Sequence, residues 1–370
     1  MEATKAAGER GREWEHLFTL LSGFFRSQVL YTVARLGIAD HLSGGTRDAD
    51  ELATATDCVG SAMYRLLRSA VGLELLSQHE DGRFGLTAAG ELLRSGTPES
   101  VRNLVMFLSG EEQWRALGQL ELSVRSGKPA LEHLLGMPVF AYLAEHPERE
   151  QIFNAAMREW TTLDIPGIVA SCDLSGVRTI VDLGGEDGAL LAGLLKANPQ
   201  LRGDLFDAPT ALRKAEPLLA AAGLTERCGL VAGDFFVSVP ASRDAYLLKS
   251  VLHDWDDEQC GQILANCRAV MRTGDILLIV EMVVPDDASG WTRDSSILLS
   301  DLNMMAVTGG RERTEAEFHA LLDKAGFTLE MLTRCPESSG FTILRARRAQ
   351  PRDEASRSPR RRVCAEGVGR

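Results

Sequence analysis

Between residues 14 and 42, Leu17, Leu20, Leu21, Phe24, Phe25, Val29, Leu30, Val33, Leu36 and Ile38 recur at helical spacing but cover more than one face, which predicts helices buried on several sides. Such helices need partners, from the rest of the chain or from a second copy. Residues 50–76 read as helix, turn, helix, with a break at 57–60 and Ser61 capping a second helix through Met63, Leu66, Leu67 and Ala70. Two short extended runs, 74–78 and 83–86, flank the turn Glu80-Asp81-Gly82, and Thr87 opens another short helix. The order is that of a winged helix.

Helical spacing continues through 101–108, 114–126 and 152–163, broken at Gly127-Lys128-Pro129. From residue 179 the period changes. Apolar, β-branched runs at 179–183, 203–207, 229–232, 245–249 and 276–280 predict buried strands, followed by a hairpin at 328–333 and 341–345. Helices fit between them at 188–197, 257–271 and 314–325, the last with a capping box from Thr314 and Glu317. Alternation of this kind predicts an α/β, doubly wound sheet behind a mostly helical first part. Residues 1–12 and 346–370 have no apolar period and read as disordered ends.

Charge narrows the choice of partner. The formal charge is −12, yet residues 346–370 hold eight Arg against three acids, so the remainder carries about −17. A body this acidic argues against general nucleic-acid binding, and the would-be recognition helix offers only Arg65 and Arg68. No apolar run reaches the length of a membrane span and the first ten residues do not resemble a signal peptide, so a cytoplasmic location without membrane attachment is expected. The seven Cys are scattered, with no paired or metal-like spacing, and read as free thiols in a reducing compartment.

The chemistry centres on Thr-Ile-Val-Asp-Leu-Gly-Gly-Glu-Asp-Gly at 179–188. A buried strand, a glycine turn and a helix follow one another, so Gly184 and Gly185 present bare main chain at the carboxyl end of a strand, where open α/β sheets bind ligands. About 20 residues on, Asp207 ends the second strand, placed to accept hydrogen bonds from ribose hydroxyls. The pair predicts a nucleoside-bearing cofactor. The glycine spacing does not give the dinucleotide fingerprint, and no Gly-Lys-Ser/Thr follows, which disfavours NAD and a P-loop. The turn instead fits acidic-x-Gly-x-Gly-x-Gly, the form used for S-adenosylmethionine (SAM), with Glu186 in place of its middle glycine.

His253, in Leu252-His253-Asp254-Trp255, follows the fourth strand on the same sheet edge, where an imidazole suits proton removal near neutral pH. Glu281 ends the 276–280 strand and Glu312 lies in Gly-Gly-Arg-Glu-Arg-Thr; either orients the imidazole or pairs with a nearby Arg. Asp234 and Phe235 follow the third strand and offer an acid and a ring for an adenine, or a surface acid beside core aromatics. Lys249, charged at the end of a core strand, points to a ligand or the rim of the cofactor pocket.

Val-Asp-Leu-Gly-Gly, Phe-Asp-Ala-Pro, Gly-Asp-Phe-Phe, Leu-His-Asp-Trp-Asp-Asp, Gly-Gly-Arg-Glu-Arg-Thr and the final Ala-Gly-Phe, in this order, closely resemble the class I SAM-dependent O-methyltransferases of the plant caffeate, hydroxyindole and bacterial natural-product type, over residues 15–347. The resemblance implies a winged-helix dimerisation domain at 13–105, a helical region contributing to the pocket at 106–165 and a Rossmann-like catalytic domain at 166–347. A disordered N-terminus at 1–12 and an Arg/Pro-rich tail at 348–370 would flank them. It implies a homodimer, SAM contacts at Gly184, Gly185, Asp207, Asp234, Phe235 and Lys249, His253 as base between Glu281 and Glu312, and no metal. The acceptor, a hydroxylated aromatic molecule of secondary-metabolite biosynthesis, would meet Phe153, Met157, Asp254, Asn303 and Met304. Glu186 departs from the family glycine, and leaves C- or N-methylation, or SAM binding without transfer, as alternatives to the favoured retained activity. A ligand-sensing winged-helix regulator is a third reading, against which the acidic body argues.

Overall fold

The computed structural model describes residues 2–336 and 340–349, with side chains from residue 11. The first helix, Glu2–Leu21, corrects the expectation of an irregular N-terminus. Residues 2–12 are rich in Ala, Glu, Lys and Arg, all good helix formers, and they continue the turn that begins the apolar run. Helices Gly23–Arg35, Ala49–Ala55 and Gly60–Gly72, with the wing strands β1 (Leu76–Gln78) and β2 (Phe84–Leu86), close over a core of Ile38, Leu52, Met63, Leu67 and Phe84. Asp48 and Glu51 form a capping box, Thr87 caps its short helix, and Val59 rather than Ser61 precedes the 60–72 helix.

The middle region is helical, but the expected single helix at 114–126 is two, Glu111–Leu117 and Leu120–Ser126, divided at Gly118. Helix Pro147–Ser171 is longer than the 152–163 run. It packs along the strand-rich half, and Pro166 lies within it.

That half is one eight-stranded sheet. Its strands are β3 (Thr179–Leu183), β4 (Arg202–Asp207), β5 (Cys228–Ala232), β6 (Ala245–Lys249), β7 (Ile276–Val284), β8 (Arg313–Thr314), β9 (Phe327–Arg334) and β10 (Phe341–Arg348). Across the sheet the order is β5-β4-β3-β6-β7-β10-β9, with β8 on β7. The first five are parallel and β10 is antiparallel to both neighbours. Helices on both faces bury continuous apolar strands, such as Ala-Tyr-Leu-Leu in β6, which explains why these strands carry no polar alternation. From β3 the chain steps outward to β4 and β5, then returns to β6 on the other side. The β3/β6 boundary is therefore the switch point at which such sheets open a crevice at their carboxyl ends.

Two strands run several residues past the expectation. β7 runs on to Val284, because Glu281 pairs with Thr342, Met282 with Phe341 and Val283 with Arg313, so Glu281 lies inside the strand rather than ending it. β10 reaches Arg348, paired with Phe327, so the expected tail from 348 begins later; residues 350–370, where the rest of that tail falls, lie outside the described residues.

Candidate active site

Gly184, Gly185 and Glu186 leave β3 as a tight turn fastened to the neighbouring strand: the Gly184 amide donates to the Phe206 carbonyl at 2.8 Å, and the Glu186 amide to Asp207 Oδ2 at 2.9 Å. A Cβ on Gly185 would overlap the Asp182 carboxyl and Leu205. Gly184 has φ 74°, and Glu186 adopts φ 52°, a left-handed conformation that glycine takes freely and glutamate does not. The sequence places a side chain where the backbone wants none.

On the other side of the switch, Val251 to Asp254 form a turn pinned from below by Glu281. Its Oε1 accepts the amides of Val251 (3.0 Å) and Leu252 (2.8 Å). His253 Nδ1 is 3.2 Å from Glu312 Oε1 and 3.7 Å from Glu281 Oε2, and its Nε2 is 3.9 Å from Asp254 Oδ1. In the neutral ring, with the Nδ1 hydrogen directed at Glu312, Nε2 keeps its lone pair. Glu312 is itself held: Ser300 donates to its Oε1 at 2.8 Å and its amide donates to Asp301 at 2.9 Å. Gly310 allows this loop to lie on the His253 main chain, since a Cβ there would collide with the His253 carbonyl oxygen.

Charge state follows from burial and neighbours. Burial works against the imidazolium, but Glu281, Asp254 and Glu312 outweigh it and raise the His253 pKa. Burial pushes the Glu281 carboxyl up, against the pull of His253. It likewise lifts Asp254 to about 6 and Asp182 to about 7. The Glu186 carboxyl rises to about 8 through burial, opposed by Lys249, whose own pKa burial lowers.

The two halves face one cavity of about 150 Å³. Of the sequence candidates, Gly184, Gly185, Lys249, His253, Asp254 and Glu312 line it, and so do Phe153, Met157, Asn303 and Met304 from helices Pro147–Ser171 and Ser295–Val307. Phe153 meets Phe107 edge-on at 5.3 Å between ring centres, which builds an aromatic wall. Lys249 donates to Thr161 Oγ1 at 2.9 Å and lies 5.0 Å from the Phe341 ring centre. Glu281 stands behind His253 instead of lining the cavity. Asp207, Asp234 and Phe235 lie along the sheet edge beyond it: Asp207 bonds the Glu186 and Ala208 amides, exposed Asp234 accepts the Phe236 amide, and Phe235 sits against Gly184.

Several residues of the site were not singled out from the sequence. Fully buried Arg313 donates to the carbonyls of Leu252 (2.8 Å) and Trp255 (2.9 Å), bracing the His253 turn, and pairs with Asp257. Arg158 pairs with Asp187 at the cavity edge, and Gln113 and Trp160 line the cavity. Only the alternation of charged residues in Arg-Glu-Arg-Thr hinted at Arg313. Among the described residues, His253, Glu281 and Glu312 are the group whose atoms, within 4.8 Å of one another, could also hold a metal ion. No helix there is long and apolar enough to cross a membrane.

A doubly wound sheet with a glycine turn and a carboxylate-braced histidine facing one cavity across its switch point defines a group-transfer enzyme built around a nucleoside-type ligand. Residues 114–328 match the O-methyltransferase domain and residues 18–96 the O-methyltransferase dimerisation domain. The chain belongs to the O-methyltransferase family. It is 39% identical to the phenazine O-methyltransferase PhzM of Lysobacter antibioticus over 90% of this chain and 95% of that protein. With O-demethylpuromycin-O-methyltransferase of Streptomyces alboniger it shares 38% over 90% and 88%. The crystal structure of LaPhzM superposes with a TM-score of 0.85 at 38% identity, covering 90% of this chain and 98% of the other. NcsB1 of neocarzinostatin biosynthesis, solved with SAM and 2-hydroxy-5-methyl naphthoic acid, gives 0.74 at 30% identity, covering 87% and 96%.

Proposed function

We propose that the protein transfers a methyl group from SAM to a hydroxyl of an aromatic small molecule of secondary metabolism, with His253 as general base. The observation that carries this reading is that His253, held through Nδ1, lines the same cavity as the glycine turn and the aromatic wall. The residues fit the cofactor. Gly184 and Gly185 bring the turn's main chain to the cavity, Asp207 is fastened to that turn through the Glu186 amide, and the buried Asp182 Oδ2 has no hydrogen-bond partner. Gly184, Gly185, Asp207, Asp234, Phe235 and Lys249 would hold it, and it supplies an electrophilic methyl on a sulfonium.

The chain's own part is to position and deprotonate. Phe153, Met157, Asn303 and Met304 shape an acceptor chamber around a planar ring, and Asp254 flanks the base. Fixing two reactants in line contributes roughly 7–11 kcal/mol to the barrier reduction. In its neutral form His253 removes the phenol proton onto Nε2, and the carboxylates of Glu281 and Glu312 stabilise the imidazolium that results. Apolar walls keep water from the nascent phenolate.

Homodimerisation is part of the same proposal. Trp14, Leu17, Phe18, Leu20 and Leu21 on the first helix, and Phe24 and Phe25 on the second, are exposed, a surface too apolar to remain bare. Incubation with labelled SAM and a panel of phenols tests the function. Methyl gain on a phenolic oxygen is expected; a methylated carbon or nitrogen, or no product with any phenol, overturns it.

A further inference from the structure

Gln113 lies on helix Glu111–Leu117 and is only 2% exposed, yet its Oε1 has no hydrogen-bond partner. A buried amide oxygen left unpaired is costly, and native interiors rarely keep one without a use. The side chain borders the main cavity and also a small chamber of about 40 Å³ beside it, and the two share Phe107, Gln113 and Val139 as their dividing wall. Several polar side chains around the two spaces already have partners. Arg149 pairs with Glu112 at 3.1 Å, Arg35 donates to the Tyr31 hydroxyl at 3.2 Å, and the Thr308 hydroxyl donates to the Met304 carbonyl at 3.2 Å. Phe107, Val139 and Phe140 offer no hydrogen bond at all.

We infer that Gln113 sets acceptor specificity, accepting a hydrogen bond at Oε1 from a second, neutral donor on the aromatic acceptor, a hydroxyl or N–H remote from the oxygen that is methylated. The chamber beyond it has room for a short substituent and not for a further ring. The inference rests on the reading of the main cavity as the acceptor site. Charge agrees with it: the cavity is crowded with carboxylates around the histidine, and Gln113 offers an acceptor oxygen that adds no further negative charge.

The test is binding rather than turnover. The two naphthols and the isomeric dihydroxynaphthalenes are titrated calorimetrically into the protein loaded with S-adenosylhomocysteine, as wild type and as Gln113→Leu. At least one diol should bind wild type about tenfold tighter than either naphthol, and the preference should fall to within about twofold in the variant while the naphthols are unaffected. Leucine needs no partner, so the variant should melt at or above the wild-type temperature. An unchanged diol preference, the absence of any preference in wild type, or a melting temperature lowered by several degrees overturns the role of Gln113. If no naphthol or diol binds either protein, the acceptor-site reading falls and the inference falls with it.

Discussion

Arg313 Nη1 donates to the carbonyl oxygen of Leu252 at 2.8 Å, across 61 residues of sequence and with the arginine side chain closed to solvent. A guanidinium buried there braces the turn that carries His253, with Asp257 as its counter-charge at the surface. Arg313→Met should therefore destabilise the protein and lower kcat more than it raises the KM of the acceptor. Each buried carbonyl left unpaired costs about 1–3 kcal/mol. Denaturant melts paired with single-turnover rates check this; a variant with wild-type kcat would show that the brace is dispensable.

Replacing His253 with Ala should slow transfer roughly 10²–10⁴-fold while SAM binding stays intact. Single-turnover rates with saturating SAM measure it, and a loss of less than about tenfold would remove His253 from the role of base.

The surrounding carboxylates set the pH at which this base works. They raise the His253 pKa from 6.5 to about 10, against the opposing effect of burial, so the ring holds its proton through neutrality. Activity should climb with pH between those values, as one apparent titration of the whole cluster. Stability takes the opposite course. A histidine whose folded pKa is raised contributes stabilisation below about 6.5 that is lost as pH rises toward 10. Glu281→Gln keeps an oxygen for the Val251 and Leu252 amides but removes an anion, so the activity limb should move to lower pH. A pH profile of kcat/KM that stays in place contradicts this.

The legible parts of the fold were those where one physical demand dominates a stretch of sequence. Buried parallel strands demand unbroken apolar runs, and β3 and β6 have the bounds that those runs predict; the glycines of the first turn and the capping box of Thr314 and Glu317 carry local signals of their own. His253 was legible because it follows a strand on the ligand-binding edge. Glu281 lies inside β7 rather than at its end, since nothing in its neighbours tells that β8 and β10 prolong the pairing of that strand. Arg313 and Gln113 are not legible in the sequence, for a common reason. A charged or amide residue in a polar stretch reads as a solvated face, and only the packing of distant segments reverses that. The first helix escaped because its opening turns hold no apolar period, only residues that favour helix intrinsically.

Chelation separates a catalytic histidine from a metal ligand. His253, Glu281 and Glu312 could hold an ion by proximity, yet Nδ1 is within hydrogen-bond reach of Glu312, and Oε1 of both glutamates already accepts protein hydrogens. A metal on Nδ1 would need that nitrogen deprotonated and its partner displaced. Dialysis against EDTA should leave the transfer rate unchanged within about twofold, with no stoichiometric metal by elemental analysis. Activity lost on dialysis and restored by zinc would reassign the trio.

Glu186 provides the most direct test of the cofactor turn. Its φ of 52° is a conformation that costs a side-chain-bearing residue about 1–2 kcal/mol, and the residue lines the cavity at the glycine turn. Glu186→Gly should relieve the backbone, free space at the turn and tighten SAM binding, read by calorimetry without any acceptor. The pH dependence distinguishes bulk from charge. Burial, opposed by Lys249, raises this carboxyl from 4.5 to about 8, so the folded protein keeps a proton that the unfolded chain gives up. Its contribution to stability is therefore most favourable below about 4.5 and declines as pH rises toward 8. Glu186→Gln should flatten the fall in melting temperature across that window while leaving the strained backbone in place. Should Glu186→Gly weaken SAM binding instead, the carboxylate is itself a contact for the positively charged cofactor, and the turn has exchanged bare backbone for an anion.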